Sequence, residues 1–283
     1  MERLRAAIEK ARAERQAQGA TAARGPARSQ IPRPDGRPAA PDPDATIREA
    51  WAALEQITPR PAIMPQATGA LGQAYGLLRA RMLQQARRNK WRRVAIVSPD
   101  PGDGKTTIAL ALAQGMTRQD DARALVLDLD LRRIGLSKRL GARPPVGMET
   151  VLAGEAPFAR AARRLGTNVA LGLNPQASDR PSETLQGAAT PRVIEAIEAA
   201  YAPDVTLFDL PPLAVAEDNV GFLEKVDAAL IVVAAEHTPM SRIDAAERQV
   251  ADLTNVMGIV LNKCRYPDRE GGYGYGYGYG DKD

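Results

Sequence analysis

An apolar strand that runs into a glycine turn and then directly into an apolar helix leaves a chain few folds to choose from. Residues 94–113 have that layout. Val94-Ala95-Ile96-Val97 reads as a buried strand, Ser98-Pro99-Asp100-Pro101-Gly102-Asp103-Gly104-Lys105-Thr106-Thr107 as the turn, and Ile108-Ala109-Leu110-Ala111-Leu112-Ala113 as the start of a helix. A polyphosphate needs converging backbone N–H donors, and glycines let the main chain approach it closely while the helix N-terminus adds partial positive charge. The turn therefore reads as a phosphate-binding loop built by Pro101, Gly102, Asp103, Gly104, Lys105, Thr106 and Thr107. Lys105 is expected to reach the β- and γ-phosphates of ATP, and the Thr106 hydroxyl to ligate the accompanying Mg²⁺. The usual first glycine of such loops is replaced by Pro99.

The chain has 283 residues, enough for one sizeable α/β domain with appendages. Its formal charge of +4 is modest, with many arginines in a proline-rich leader, and does not point to nucleic acid. A basic leader could still touch anionic lipid or an acidic partner. With one cysteine, Cys264, and one histidine, His237, neither an internal disulfide nor a Cys/His zinc site can form. The longest apolar run, residues 228–235, is too short to span a bilayer, and no signal-peptide core follows Met1, so a cytoplasmic protein is expected.

Residues 1–18 carry helix formers with a thin apolar stripe of Leu4, Ile8 and Ala11. Residues 19–67 form a Pro/Ala/Arg-rich linker with a short amphipathic helix over 46–57, and composition predicts disorder in its first half. A helix over 69–88 leads into the main domain, residues 68–268, with folded structure beginning near Thr68. There strands are expected at 94–98, 124–128, 169–173, 205–209, 228–234 and 258–261, with helices near 106–117, 191–200 and 241–254. Val/Ile/Leu-rich strands of this kind suit a mostly parallel sheet covered by helices on both faces, the α/β fold of P-loop NTPases. Residues 269–283 form a Gly/Tyr-rich tail that cannot be core.

Two further segments carry acids. Leu125-Val126-Leu127-Asp128-Leu129-Asp130 ends a strand in two carboxylates, and Thr206-Leu207-Phe208-Asp209-Leu210-Pro211-Pro212 delivers a third. All three are expected at the C-terminal edge of the sheet, where open α/β sheets bind ligands. There they could hold metal-bound water or accept a proton, with Asp209 orienting Mg²⁺ through water.

The three segments, with Gly258-Ile259-Val260-Leu261-Asn262-Lys263 and the tyrosine tail, resemble the bacterial tyrosine kinases, P-loop kinases of capsule and exopolysaccharide synthesis. The likeness covers residues 73–280. D-x-D-x-R matches at Asp128, Asp130 and Arg132, and the Walker B pattern at Asp209, Pro211 and Pro212. Weaker matches are 147–154, which resembles G-L-x-x-x-L-x-G, and 180–185, which resembles N-P-x-E-L-L. The resemblance implies catalysis by Lys105, Asp128, Asp130 and Asp209, with Asp128 accepting the phenolic proton and Thr106, Asp128, Asp130 and Asp209 available to the metal; Asp128 and Asp130 could exchange roles. It puts Asn262 at the adenine and makes Tyr273, Tyr275, Tyr277 and Tyr279 phosphoacceptors. It also implies a transmembrane co-polymerase as activator, which would recruit the chain to the inner face of the membrane.

Two other readings remain open. A regulator that binds nucleotide without transferring phosphate fits the same loop. A positioning ATPase of the MinD/ParA type shares the fold but carries a lysine where this chain has Asp100. Family members also place E-x-x-R-x-x-R on the helix before the first strand, to build a ring in which one subunit's tail enters its neighbour. Here Gln73 and Gly76 replace two of those groups and Arg79 alone remains, so a weak or partner-dependent homo-oligomer is expected.

Overall fold

The alternation of apolar side chains along each strand decides the architecture, because successive residues point to opposite faces and both faces here must be buried. The computed structural model describes residues 43–58, 69–119, 121–214 and 216–265. The expected helix over 2–18, most of the linker and the tail tyrosines lie outside the described residues.

The strands are β1 (Gln56–Ile57), β2 (Arg93–Val97), β3 (Ala124–Asp128), β4 (Ala162–Leu165), β5 (Val169–Gly172), β6 (Val205–Asp209), β7 (Ala228–Ala234) and β8 (Asn255–Asn262). The helices are α1 (Pro43–Ala52), α2 (Gly69–Asn89), α3 (Lys105–Met116), α4 (Gly135–Leu140), α5 (Met148–Leu152), α6 (Phe158–Ala161), α7 (Pro181–Gln186), α8 (Ala189–Tyr201), α9 (Ala216–Leu223) and α10 (Met240–Ala251). The sheet order is β1-β4-β5-β3-β6-β2-β7-β8, and every neighbouring pair is parallel except β4 with β5. This is the expected mixed, mostly parallel α/β sheet.

Period-two alternation divides the interior into two layers. Val94, Ile96, Val126, Leu207, Leu230 and Val232 pack with α2, α3 and α4. Ala95, Val97, Leu125, Leu127, Phe208 and Ile231 pack with α1, α5, α8, α9 and α10 on the other face. The strands expected at 124–128, 205–209 and 228–234 have those limits, and β8 begins earlier than expected, at Asn255, pairing with β7 on both sides of a bulge at Met257, next to Gly258 (φ 154°).

Several elements differ from the sequence expectation: α4, α5, α6, α7 and α9 are short helices it does not mark, and two further differences reshape one edge of the sheet. The helix expected over 46–57 occupies Pro43–Ala52 instead, and Gln56–Ile57 becomes a strand paired with Arg164 and Leu165. Folded structure thus begins before Thr68. Trp51 and Leu54 enter the core, with Trp51 Nε1 donating to the Tyr201 carbonyl at 2.8 Å and its ring edge-on to Tyr201. β4 was not anticipated, since Arg163 and Arg164 interrupt its apolar pattern. Arg163 pairs with Glu55 at 3.1 Å, and the Arg164 N–H donates to the Glu55 carbonyl at 2.8 Å. A tertiary partner has overridden local periodicity here.

Candidate active site

The strand order puts the phosphate-binding loop beside the acids. β2, which feeds the loop, lies beside β6, and β6 lies beside β3, with Asp128 and Asp209 directly in register. Both carboxylates leave the C-terminal edge of the sheet, where α3 also begins.

Left-handed backbone at Gly102 (φ 94°) and Gly104 (φ 103°) shapes the loop, a conformation that L side chains avoid. Asp103 is buried and ties the loop from inside: its carboxylate accepts the Asp100 N–H at 3.0 Å and the Thr238 hydroxyl at 3.2 Å. Asn262 Nδ2 donates to the Asp103 carbonyl at 2.7 Å, and a methyl group at Gly104 would overlap that amide. Asp100 is ion-paired with Arg242 of α10. Pro101 lies on the exposed side of the loop, while Thr106 and Thr107 lie in the first turn of α3, where Thr106 packs beneath Gly135.

Lys105 is held by acids from two strands. Its ammonium donates to Asp130 at 2.7 Å and lies 3.8 Å from Asp209. Burial alone would lower its pKa, but Asp209 and Asp130 outweigh it and raise the group, which keeps the lysine charged. Asp128 and Asp209 are wholly buried. Burial pushes the Asp128 carboxyl well above the ordinary carboxylate range, and the charges of Asp209 and Asp130 push the same way, against Lys105 and a 3.3 Å hydrogen bond from the Leu136 N–H. Burial also raises Asp209, while Lys105 and the nearby Thr106 hydroxyl pull it back. Both oxygens of Asp209 and one each of Asp128 and Asp130 have no hydrogen-bond partner.

These orphaned oxygens beside a loop built for phosphate fit a divalent cation carried in with a nucleotide. Among the described residues no group of three or more His, Cys, Asp or Glu side chains makes a metal cage; the carboxylates close on Lys105 instead. Mg²⁺ is ordinarily held by one or two carboxylates together with substrate phosphates.

The structure brings together Gly102, Asp103, Gly104, Lys105, Thr106, Asp128, Asp130, Asp209 and Asn262; the tail tyrosines lie outside the described residues. Two supporting residues, Asp218 and Asn174, carry no sign of their role in the sequence. Arg132 makes a two-pronged pair with the buried Asp218, at 2.7 and 3.0 Å, and the Ser182 hydroxyl donates to the same carboxylate at 2.5 Å. This joins the D-x-D-x-R segment to α7 and α9. Asn174 donates to the Asp128 carbonyl at 2.8 Å and accepts the Met148 N–H at 2.8 Å, pinning the acidic strand end to α5. The sequence gives no local sign of these partners, which lie 26 to 86 positions away along the chain.

A glycine loop on a parallel strand, a buried lysine and two flanking strand-end acids define a P-loop nucleotide-binding domain. No family model matches the chain. The chain is 30% identical over 188 residues to the succinoglycan biosynthesis transport protein ExoP of Rhizobium meliloti, covering 63% of this chain and 24% of that protein. It is 25% identical over 178 residues to the tyrosine-protein kinase CpsD of Streptococcus pneumoniae, covering 62% of this chain and 77% of CpsD. The kinase domain of the Escherichia coli tyrosine kinase ETK superposes with a TM-score of 0.63 at 22% identity, over 73% of this chain and 81% of that domain. Over the P-loop domain the chain is thus similar to proteins named as bacterial tyrosine kinases, and it shares their fold. It spans about a quarter of ExoP and about three quarters of CpsD.

Proposed function

We propose that the chain is a protein-tyrosine kinase that uses Mg·ATP to phosphorylate its own C-terminal tyrosines and thereby regulates exopolysaccharide or capsule synthesis. The observation that carries the reading is the convergence of Asp130, Asp209 and Asp128 on the loop lysine, Lys105. CpsD, named a tyrosine-protein kinase, and ExoP, named for succinoglycan biosynthesis, supply the chemical and biological context.

In this reading the loop N–H groups and Lys105 hold the β- and γ-phosphates, and Asn262 lies toward the base. Thr106, Asp209 and Asp130 would hold Mg²⁺, which offsets charge on the transferring group. The tyrosine oxygen forms a bond to the γ-phosphorus as the bond to the bridging oxygen breaks, ADP departs, and the phenolic proton passes to a carboxylate. A phenol of pKa near 10 needs a base stronger than an ordinary carboxylate. The environment of Asp128, which raises its pKa, suits that task. The acceptors would be Tyr273, Tyr275, Tyr277 and Tyr279 of the same or a neighbouring subunit.

A transmembrane co-polymerase is the activator this reading calls for, and no described helix is itself long and apolar enough to cross a membrane. Assembly of the isolated chain would be weak or partner-dependent, because Gln73 and Gly76 cannot form the ring contact and Arg79 donates to the Gly115 carbonyl of its own chain. Phosphotyrosine mapping after incubation with Mg·ATP tests the proposal, with Lys105→Met as the blank. Phosphate is expected on the tail of the wild-type protein and absent from the variant. An unmodified tail, with the activator present, would leave the nucleotide-binding regulator as the function.

A further inference from the structure

We propose that the outer face of α2 and the turn after it dock on an anionic lipid surface. Residues 69–93 contain seven basic side chains and not one Asp or Glu. Three of the seven are committed within the fold: Arg79 donates to the Gly115 carbonyl, Arg92 donates to the Pro203 carbonyl at 2.7 Å, and Arg93 pairs with Glu198 at 2.6 Å. Arg81, Arg87, Arg88 and Lys90 are exposed and make no ion pair among the described residues. Two nearby acids are turned to backbone N–H groups, and Glu224 borders the same hollow as Lys90 and Arg92. Asp227 accepts the N–H groups of Arg92 and Arg93 at 2.7 and 2.8 Å, and Asp204 accepts that of Arg123 at 2.8 Å.

Apolar side chains accompany this charge. Leu71 and Leu77 on α2 are 47% and 53% exposed, although most large aliphatic residues of the chain are buried. A helix that presents cations with exposed leucines matches the chemistry of the lipid headgroup boundary. Binding single-stranded nucleic acid would instead call for exposed aromatic faces on which bases stack. The two aromatic rings of this stretch, Tyr75 and Trp91, pack against the hydrophobic core, and the exposed apolar groups are aliphatic.

The position suits a surface contact that leaves the site open. The basic turn ends where Arg93 begins β2, at the N-terminal edge of the sheet, whereas the phosphate-binding loop leaves the C-terminal end of the same strand. This docking is independent of phosphoryl transfer and stands or falls separately from it.

The test is co-sedimentation of the full chain with phosphatidylcholine vesicles, with and without phosphatidylglycerol, near physiological salt. Binding is expected only to the phosphatidylglycerol vesicles and should weaken as salt rises. Each cation at such a surface is worth about fivefold in partitioning, so Arg87→Gln/Arg88→Gln/Lys90→Gln should lower it on the order of a hundredfold. Leu71→Ser/Leu77→Ser should lower it as well, while Arg12→Gln/Arg15→Gln/Arg24→Gln/Arg28→Gln in the leader should retain most of it. All these positions on α2 and in the turn after it are exposed, so an unchanged unfolding midpoint is expected and serves as the folding control. Undiminished binding by the α2 variants, equal binding to both vesicle types, or loss caused by the leader variant alone would overturn the proposal. So would displacement from vesicles by an oligonucleotide at matched phosphate concentration, which would assign the face to nucleic acid.

Discussion

Gly104→Ala, alone and with Asn262→Ala, tests how the phosphate-binding loop is held. At φ 103° an alanine suffers the left-handed penalty of roughly 1–2 kcal/mol. Its methyl would also overlap the Asn262 amide, forcing that side chain away and breaking its 2.7 Å hydrogen bond to the Asp103 carbonyl, worth about 1 kcal/mol. The single variant should therefore lose about 2–3 kcal/mol. Asn262→Ala alone loses the hydrogen bond, about 1 kcal/mol. In the double variant the bond is already gone and the overlap has no partner, so its loss should equal that of Gly104→Ala rather than the sum. The coupling is then about 1 kcal/mol. Urea unfolding of the four proteins gives the cycle, and the ATP dissociation constant measured in parallel should follow the same order. Strictly additive losses would refute the reasoning, because they would mean that Asn262 does not meet the Gly104 position in solution.

Asp128→Asn keeps an acceptor for the Leu136 N–H but removes a buried ionisable group. Because the folded protein holds the Asp128 proton above the pH at which the unfolded chain releases it, stability is present at low pH and falls as pH rises from about 4 through the raised pKa. The asparagine variant should flatten that decline in melting temperature and be relatively stabilised near neutrality, with phosphoryl transfer lost; parallel curves for the two proteins would exclude Asp128 as the source. Trp51→Ala should destabilise the fold by about 3–5 kcal/mol in denaturant titration, since it removes a buried ring and its bond to Tyr201. Trp51→Phe should lose about 1 kcal/mol, and a surface-like response to both would separate α1 from the core.

Local pattern made the centre of this molecule legible. The runs at 124–128, 205–209 and 228–234 are apolar on both faces, which only a strand covered from two sides tolerates, and the glycine turn before Lys105 has few uses other than binding phosphate. The sequence by itself thus determined the parallel core, the loop and the edge on which three carboxylates emerge. Tertiary structure alone decided which acid meets Lys105: the Asp130 carboxylate accepts from its ammonium directly, while Asp128 is turned toward the Leu136 N–H. It also decided that Asp218 anchors Arg132, that Arg242 pairs with the loop at Asp100, and that Gln56–Ile57 leaves the helical pattern to join β4. The reason is physical: periodicity reports which face of one element is buried, whereas a hydrogen bond spanning 86 or 142 positions exists only once the sheet order has brought two distant segments together.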